Sequence, residues 1–438
     1  MTDTDATKRR RTVSWVVALS TIALVFDGYD LVVYGTVLPT LLDDPTQLGP
    51  ITPGQAGALG SYALIGVLVG ALAAGSLGDW IGRRRIMLIN LAWFSIGMGA
   101  TALTQNVTAF GIGRFVTGIG VGALVATVGA LVAEFAPPGQ RNRLNAVVYS
   151  GVPAGGVLAS VLALVLTDAV GWRGLFWVGA LPIVLVLPLA IAKLPESAKW
   201  LAARGRLEQA RALSERTGVP LVVEPAVTGR VGFPALATRA LAWPTALLGL
   251  MSFAGLLLTY GLNTWLPKIM EDNGYGESYS LAFLLVLNLG AIIGGMLASL
   301  WADRAGAKRV VVTTFVLAAV TLALLPLDLP LGALLLAVAV AGVGTIGTQV
   351  LVYGLVSNYY PTRARAAGVA WCAGFGRLGG IVGPVIGGFL VGAGLGGTTA
   401  FYIFAGIALV AALVTGLVPR PEHADAEVPL TGAAPQPA

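Results

Sequence analysis

The sequence predicts an all-α membrane protein in which twelve spanning helices form two pseudo-symmetric six-helix halves. Three observations carry this expectation. The 438 residues are 56% hydrophobic and only 11% charged, with a mean hydropathy of +0.83, far more apolar than a water-soluble domain. Twelve apolar runs each come near the roughly 20 residues that a bilayer crossing requires. The loop segment DWIGRRR (Asp79–Arg85) returns about halfway further along the chain as DRAGAKR (Asp303–Arg309).

The runs fall at 13–40, 55–78, 85–104, 108–136, 143–167 and 172–193, then at 243–269, 278–302, 309–326, 331–358, 366–392 and 398–418. They divide the chain into a cytoplasmic N-terminal tail (1–12), a first half (13–193), a cytoplasmic linker (194–242), a second half (243–418) and a C-terminal tail (419–438). The first run is too long and too interrupted for a signal peptide and is followed by no small-residue cleavage site, so it is expected to remain as a helix. The linker contains ESAKWLAARGRLEQARALSERTG, read as helical, and the Pro- and Ala-rich final tail is expected to be disordered.

Of the 27 Lys and Arg residues, 23 fall in the tails and loops that share a side with the N-terminus. The positive-inside rule then predicts that both termini are cytoplasmic. The same dispersal accounts for the net charge of +6 without a nucleic-acid partner, because the basic residues form no patch. A single cysteine, Cys372, excludes an internal disulfide, and the only histidine, His423, lies in the tail. No Cys/His metal site, no cofactor and no histidine catalysis are therefore expected. Nucleophile and base do not occur together in the predicted helices, which argues against an enzyme.

The offset that carries Asp79 onto Asp303 runs through the scaffold. Gly66 and Gly70 match Gly290 and Gly294, Gly118 and Gly120 match Gly342 and Gly344, and Gly155 and Gly156 match Gly379 and Gly380. Pro137 matches Pro361 and Arg141 matches Arg365. Parallel repeats of this kind hold a substrate site between the halves near the membrane midplane.

Four charges inside the predicted helices do not follow the repeat. Asp27 and Asp30 correspond to Met251 and Ala254, Arg114 to Val338, and Arg377 to Pro153. A charge in the bilayer core costs roughly 2.5–3.5 kcal/mol on insertion scales, so charges absent from the shared scaffold point to substrate and coupling ion. Asp27 and Asp30 lie on one helix face near mid-depth and form a candidate proton-carrying pair, with Asp30 narrowly preferred. The alternative is that one aspartate is locked in a salt bridge.

Arg377 lies about 18 Å along its helix from the loop residue Arg365. Its planar guanidinium suits a substrate carboxylate, the alternative being a permanent pair with an aspartate of the first helix. Trp371, Phe375 and Tyr29 are candidates for stacking on a ring substrate, with packing as the alternative. Arg114, nearer the outer end of its helix, is included in the site with a coupling or structural role. GRLGGIVGPVIGG (Gly376–Gly388) allows close helix approach, and Pro384 weakens the helix locally, as a rocking interface requires.

Several segments resemble a known family. GSLGDWIGRRRIM (Gly75–Met87) resembles the loop signature of the major facilitator superfamily, departing at Trp80, where a basic residue is common. GRFVTGIGVGA resembles its fourth-helix motif, and LPESAKWLAARGR the segment after helix 6 of sugar, organic-ion and aromatic-acid porters. DGYD, AEFAPPGQRNR and NYYPTRARAAGVAWCAGFGRLGGIVGP look like the aromatic acid/proton symporter family. The resemblance implies the major facilitator fold and proton-coupled import of a benzoate-like carboxylate across a bacterial inner membrane, in support of aromatic hydrocarbon catabolism, by a chain acting as a monomer. It also implies a cytoplasmic gate in which Asp79 faces a helix N-terminus and Arg83 bridges to Glu134, with Asp303 as the copy in the second half; the alternative is surface ion pairs that only set topology. Competing readings are a proton-antiporting exporter, a symporter of another organic anion, and a receptor that binds without transporting.

Overall fold

The computed structural model describes residues 3–137, 140–220 and 233–419. The first half comprises α1 (Asp3–Asp43), α2 (Pro53–Ile81), α3 (Arg83–Ala102), α4 (Val107–Phe135), α5 (Arg141–Tyr149), α6 (Gly151–Ala180), α7 (Pro182–Leu185) and α8 (Leu187–Lys193). Three short helices follow, α9 (Ala198–Ala203), α10 (Leu207–Thr217) and α11 (Phe233–Leu236). The second half comprises α12 (Arg239–Asp272), α13 (Glu277–Ala305), α14 (Ala307–Leu324), α15 (Leu331–Gly342), α16 (Thr348–Tyr359), α17 (Thr362–Gly392) and α18 (Gly396–Leu417), with one π-helical turn, Val343–Gly347, between α15 and α16.

Local chemistry sets the helix ends. Thr52 and Gln55 form a reciprocal capping box ahead of α2, with Pro53 in the first turn. The Asn106 side chain accepts the Ala109 N–H at 2.8 Å to start α4. Gly82 and Gly306, equivalent under the repeat, turn the chain at φ +102° and +87° in the two matching loops, a region closed to most L side chains.

Among the described residues eleven stretches are long and apolar enough to span a membrane. One of them, 143–193, has 51 residues, about 75 Å as a straight helix against a hydrocarbon core of about 30 Å. It is two crossings, because Gly171 adopts φ +63° and ψ −179° inside α6 and reverses the chain. Twelve crossings result, and an even number puts both ends on one face. Outward-facing Leu72, Ile96, Val165, Met296, Phe389 and Leu413 give the apolar exterior that lipid favours and water does not.

Two details refine the sequence expectation. Helix α1 begins at Asp3, so most of the N-terminal tail continues as helix beyond the apolar run. The linker stretch read as helical forms two helices, separated at Gly205, where φ is +75°. The C-terminal tail lies outside the described residues from 420 onward.

The halves meet through α1 with α12, α2 with α17, and α6 with α13. The closest approaches lie on the side away from the termini. There Gly35 rests on the Asn263 carbonyl, Gly57 on that of Pro384, and the Ser61 hydroxyl donates to the Ile381 carbonyl. On the side carrying the termini, no comparable set of contacts joins α4 or α5 to α16 or α17 among the described residues. The two halves are closed at one face and splayed at the other.

Candidate functional site between the halves

Asp27 and Asp30 are both buried on α1, but their surroundings differ. Asp30 forms a buried ion pair with Arg114 of α4, whose Nη1 donates to Asp30 Oδ1 and lies 3.3 Å from the Asp30 carbonyl oxygen. The guanidinium is flanked by the rings of Tyr34 and Phe176, with centroids at 5.3 and 5.9 Å. Tyr34 donates its hydroxyl to the Ala56 carbonyl at 2.6 Å, and Tyr29 donates to that of Leu175 at 2.7 Å. Asp30, Arg114 and Tyr29 therefore belong to a polar knot wholly within the first half.

Asp27, almost one turn earlier, has a buried Oδ1 without a hydrogen-bond partner. The cation within electrostatic reach of it is Arg377, contributed from the second half by α17. Arg377 is half-buried and makes no hydrogen bond or ion pair among the described residues. Tyr149 at the end of α5, Tyr260 on α12 and Tyr353 on α16 also lie within its electrostatic reach. One buried carboxylate, one uncommitted guanidinium and three phenols thus converge where the halves face each other.

Trp371 and Phe375 lie on α17, on the side of Arg377 toward the termini. Their rings stack at 5.2 Å with a 15° interplanar angle, and the Trp371 indole donates to the Thr245 carbonyl at 3.0 Å. Phe375 also meets Phe253 at 5.7 Å. Both are half-buried, and their contacts with Thr245, Gly249 and Phe253 direct them toward α12, on a different face of α17 from Arg377.

In the loop between α2 and α3, Arg83 Nε lies 3.5 Å from Glu134 Oε1. The side chain of Asp79 lies outside the described residues, and Asp303 is exposed. Sequence reasoning missed Glu196, which accepts the Arg84 backbone N–H at 3.0 Å at the start of α3, where the helix dipole favours a carboxylate. Arg84 in turn donates to the Leu194 and Ile191 carbonyls, both at 2.7 Å, and Arg204 donates to the Trp80 carbonyl at 2.7 Å. These bonds latch the linker to the first repeated loop.

The closed face carries an ion cluster of its own. Lys268 Nζ lies 2.9 Å from Asp43 Oδ2, 3.3 Å from Asp272 Oδ1 and 3.8 Å from Glu271 Oε2. The first of these joins the ends of α1 and α12 across the halves. In the sequence Lys268 was only a loop-edge charge, and its pairing depends on packing between segments that are distant along the chain. No group of His, Cys, Asp and Glu residues capable of holding a metal occurs among the described residues.

The comparisons with known proteins agree with this architecture. The family described as "Sugar (and other) transporter" matches residues 16–419. The gentisate transporter of Corynebacterium glutamicum is 35% identical over 400 residues, covering 91% of this chain and 85% of that protein. The benzoate transport protein of Acinetobacter baylyi is 33% identical, covering 91% and 87%. The 4-hydroxybenzoate transporter PcaK of Pseudomonas aeruginosa is 31% identical, covering 94% of each. Among solved structures, a D-xylose-proton symporter superposes with a TM-score of 0.73 at 19% identity, covering 94% of this chain and 99% of that one. With that fold, that family match and those relatives, the chain belongs to the sugar (and other) transporter family of the major facilitator superfamily, and it is a multi-span membrane transporter of a small molecule rather than an enzyme.

Proposed function

We propose that this protein imports an aromatic carboxylate together with protons across a bacterial inner membrane, acting as a monomer with both termini in the cytoplasm. The observation that carries the reading is the unpartnered Asp27 carboxylate within reach of the uncommitted Arg377. A lone buried charge is costly unless it is paired or neutralised. In the empty carrier each of these groups is the other's nearest source of compensation. A proton on Asp27 frees Arg377, whose fork then takes the substrate carboxylate. Proton and anion binding thereby favour each other, and the coupling is reciprocal. Asp30, held by Arg114, anchors α1 to α4 while Asp27 exchanges the proton.

The aromatic character of the substrate is supported by relatives named for benzoate, gentisate and 4-hydroxybenzoate. Residues 13–193 and 243–418 rock as two bodies joined by the linker 194–242. Arg83, Glu134, Asp79 and Asp303 gate the cytoplasmic face, to which the splayed halves open. Cytoplasmic termini follow from the location of 23 of the 27 basic residues.

Uptake by purified protein in liposomes tests the reading. Asp27→Asn, a permanent analogue of the protonated acid, should still bind benzoate and exchange it across the membrane. It should lose accumulation driven by an acid exterior. If Asp27→Asn still concentrates benzoate against its gradient, Asp27 is not the proton carrier; an exporter would instead move substrate outward in exchange for protons.

A further inference from the structure

The fourth helices of the two halves, Val107–Phe135 and Leu331–Tyr359, are equally long but differ in register beside the site. In the first half, Gly118 and Gly122 of α4 rest on the carbonyls of Ala63 and Val67 of α2. In the second half, Gly342 and Gly347 rest on the carbonyls of Leu287 and Ala291 of α13. The carbonyl pairs and the first glycines keep the offset of the repeat, but Gly347 stands one position beyond the place that Gly122 predicts. Helix α4 is regular throughout, whereas the second half takes up the one-place shift in the π-helical turn Val343–Gly347. Single π-turns of this kind concentrate at functional sites. A one-place shift of register turns the residues just past the turn by about 100° relative to the α4 pattern.

The residues just past the turn are Thr348 and Gln349. Gln349 is 7% exposed, and neither its Oε1 nor its Nε2 has a hydrogen-bond partner. Its amide lies against Gly255 of α12, with the Phe315 ring beside it. A buried amide with both ends unsatisfied is costly, and the first half has only apolar Leu124 and Val125 at this level. Tyr353 stands four residues further on, on the same helix face, and is the phenol of this helix within reach of Arg377. Gly255 is one residue from Leu256, which with Ser252 meets Gly376 of α17, the residue before Arg377, so the Gln349 amide lies near the level of Arg377.

We propose that Gln349 and Tyr353, oriented by the π-helical turn, read a polar substituent on the substrate ring, so that the preferred substrate is a hydroxylated aromatic acid rather than unsubstituted benzoate. The inference rests on the aromatic-carboxylate reading above. The amide offers one donor pair and one acceptor, and the phenol offers both. Because the amide is unpaired in the empty site, a ring hydroxyl that satisfies it is rewarded and a bare ring is not.

The test is calorimetric titration of the full-length protein in lipid nanodiscs with benzoate and with 2-, 3- and 4-hydroxybenzoate. The unaltered protein should bind at least one hydroxylated isomer roughly tenfold tighter than benzoate. Gln349→Met should bring that ratio to within about twofold while leaving the benzoate Kd nearly unchanged. Equal binding of all four acids by the unaltered protein, or an undiminished preference in Gln349→Met, overturns the proposal. Should that variant fail to fold, Tyr353→Phe decides: a reduced preference supports the proposal and an undiminished one overturns it. Failure of the underlying reading looks different, since then none of the four acids binds, or Arg377→Lys leaves the benzoate Kd unaltered.

Discussion

The two halves are near copies in scaffold and opposites in how they house charge. The first pairs its arginine within the half, since Arg114 holds Asp30 and lies between the rings of Tyr34 and Phe176. The second leaves Arg377 with no hydrogen bond or ion pair among the described residues. A buried ion pair can hold two helices together but has little net charge to offer a ligand. An uncompensated cation is poor cement and a good receptor for an anion. Asp27 lies between these extremes, on the same helix as the paired aspartate yet facing the unsatisfied arginine. Duplication supplied the frame, and asymmetry in the charges gave each half its own task.

The largest expected effect concerns the buried pair. Removing one partner of a buried ion pair strands the other, so Arg114→Met should destabilise the protein by about 3–5 kcal/mol. Thermal unfolding in detergent measures this, and adding Asp30→Asn should restore much of the loss. If Arg114→Met alone is neutral, the contrast between the two arginines is gone. Arg377→Lys should leave stability nearly unchanged and weaken carboxylate binding by about 1–3 kcal/mol, because the charge stays while the fork is lost. Titration with benzoate reads the difference, and unchanged affinity removes Arg377 from the site. The smallest effect is at the closed face. Asp43 is more than half exposed, so its pair with Lys268 contributes less than about 1 kcal/mol. Lys268→Gln should then raise the population open on that side by no more than about fivefold. Labelling of Ser61→Cys from outside, in a Cys372→Ala background, should speed up accordingly.

Much of this was legible in the sequence. Apolar runs, repeated loops and four misplaced charges are local signals, and lipid makes each of them conspicuous. Which charge pairs with which is not local. The spacing of Asp27 and Asp30 is symmetric with respect to any partner, and only the packing of α1 against α4 gives Asp30 to Arg114 and leaves Asp27 facing α17. Tyr260 was not singled out, because an aromatic residue in an apolar helix is usually packing. Glu196 sat within a recognised segment, yet its role as a cap for α3 depends on a contact across 112 residues of chain. The π-helical turn left one trace, a glycine pair spaced by five positions (Gly342 and Gly347) where its counterpart (Gly118 and Gly122) is spaced by four.

That turn has a genetic reading. Helices α4 and α16 end at Phe135 and Tyr359, which are again equivalent under the original offset, so the register gained at Gly347 is lost before the next loop. A change of register confined to a single helix alters which side chains face inward past the turn, while the loops and the topology on either side stay where they were. For a duplicated gene this is among the shortest mutational routes from a symmetric ancestor to a binding site with two unlike walls. Relatives with other cargoes are accordingly expected to differ in the presence and place of this turn as well as in its residues.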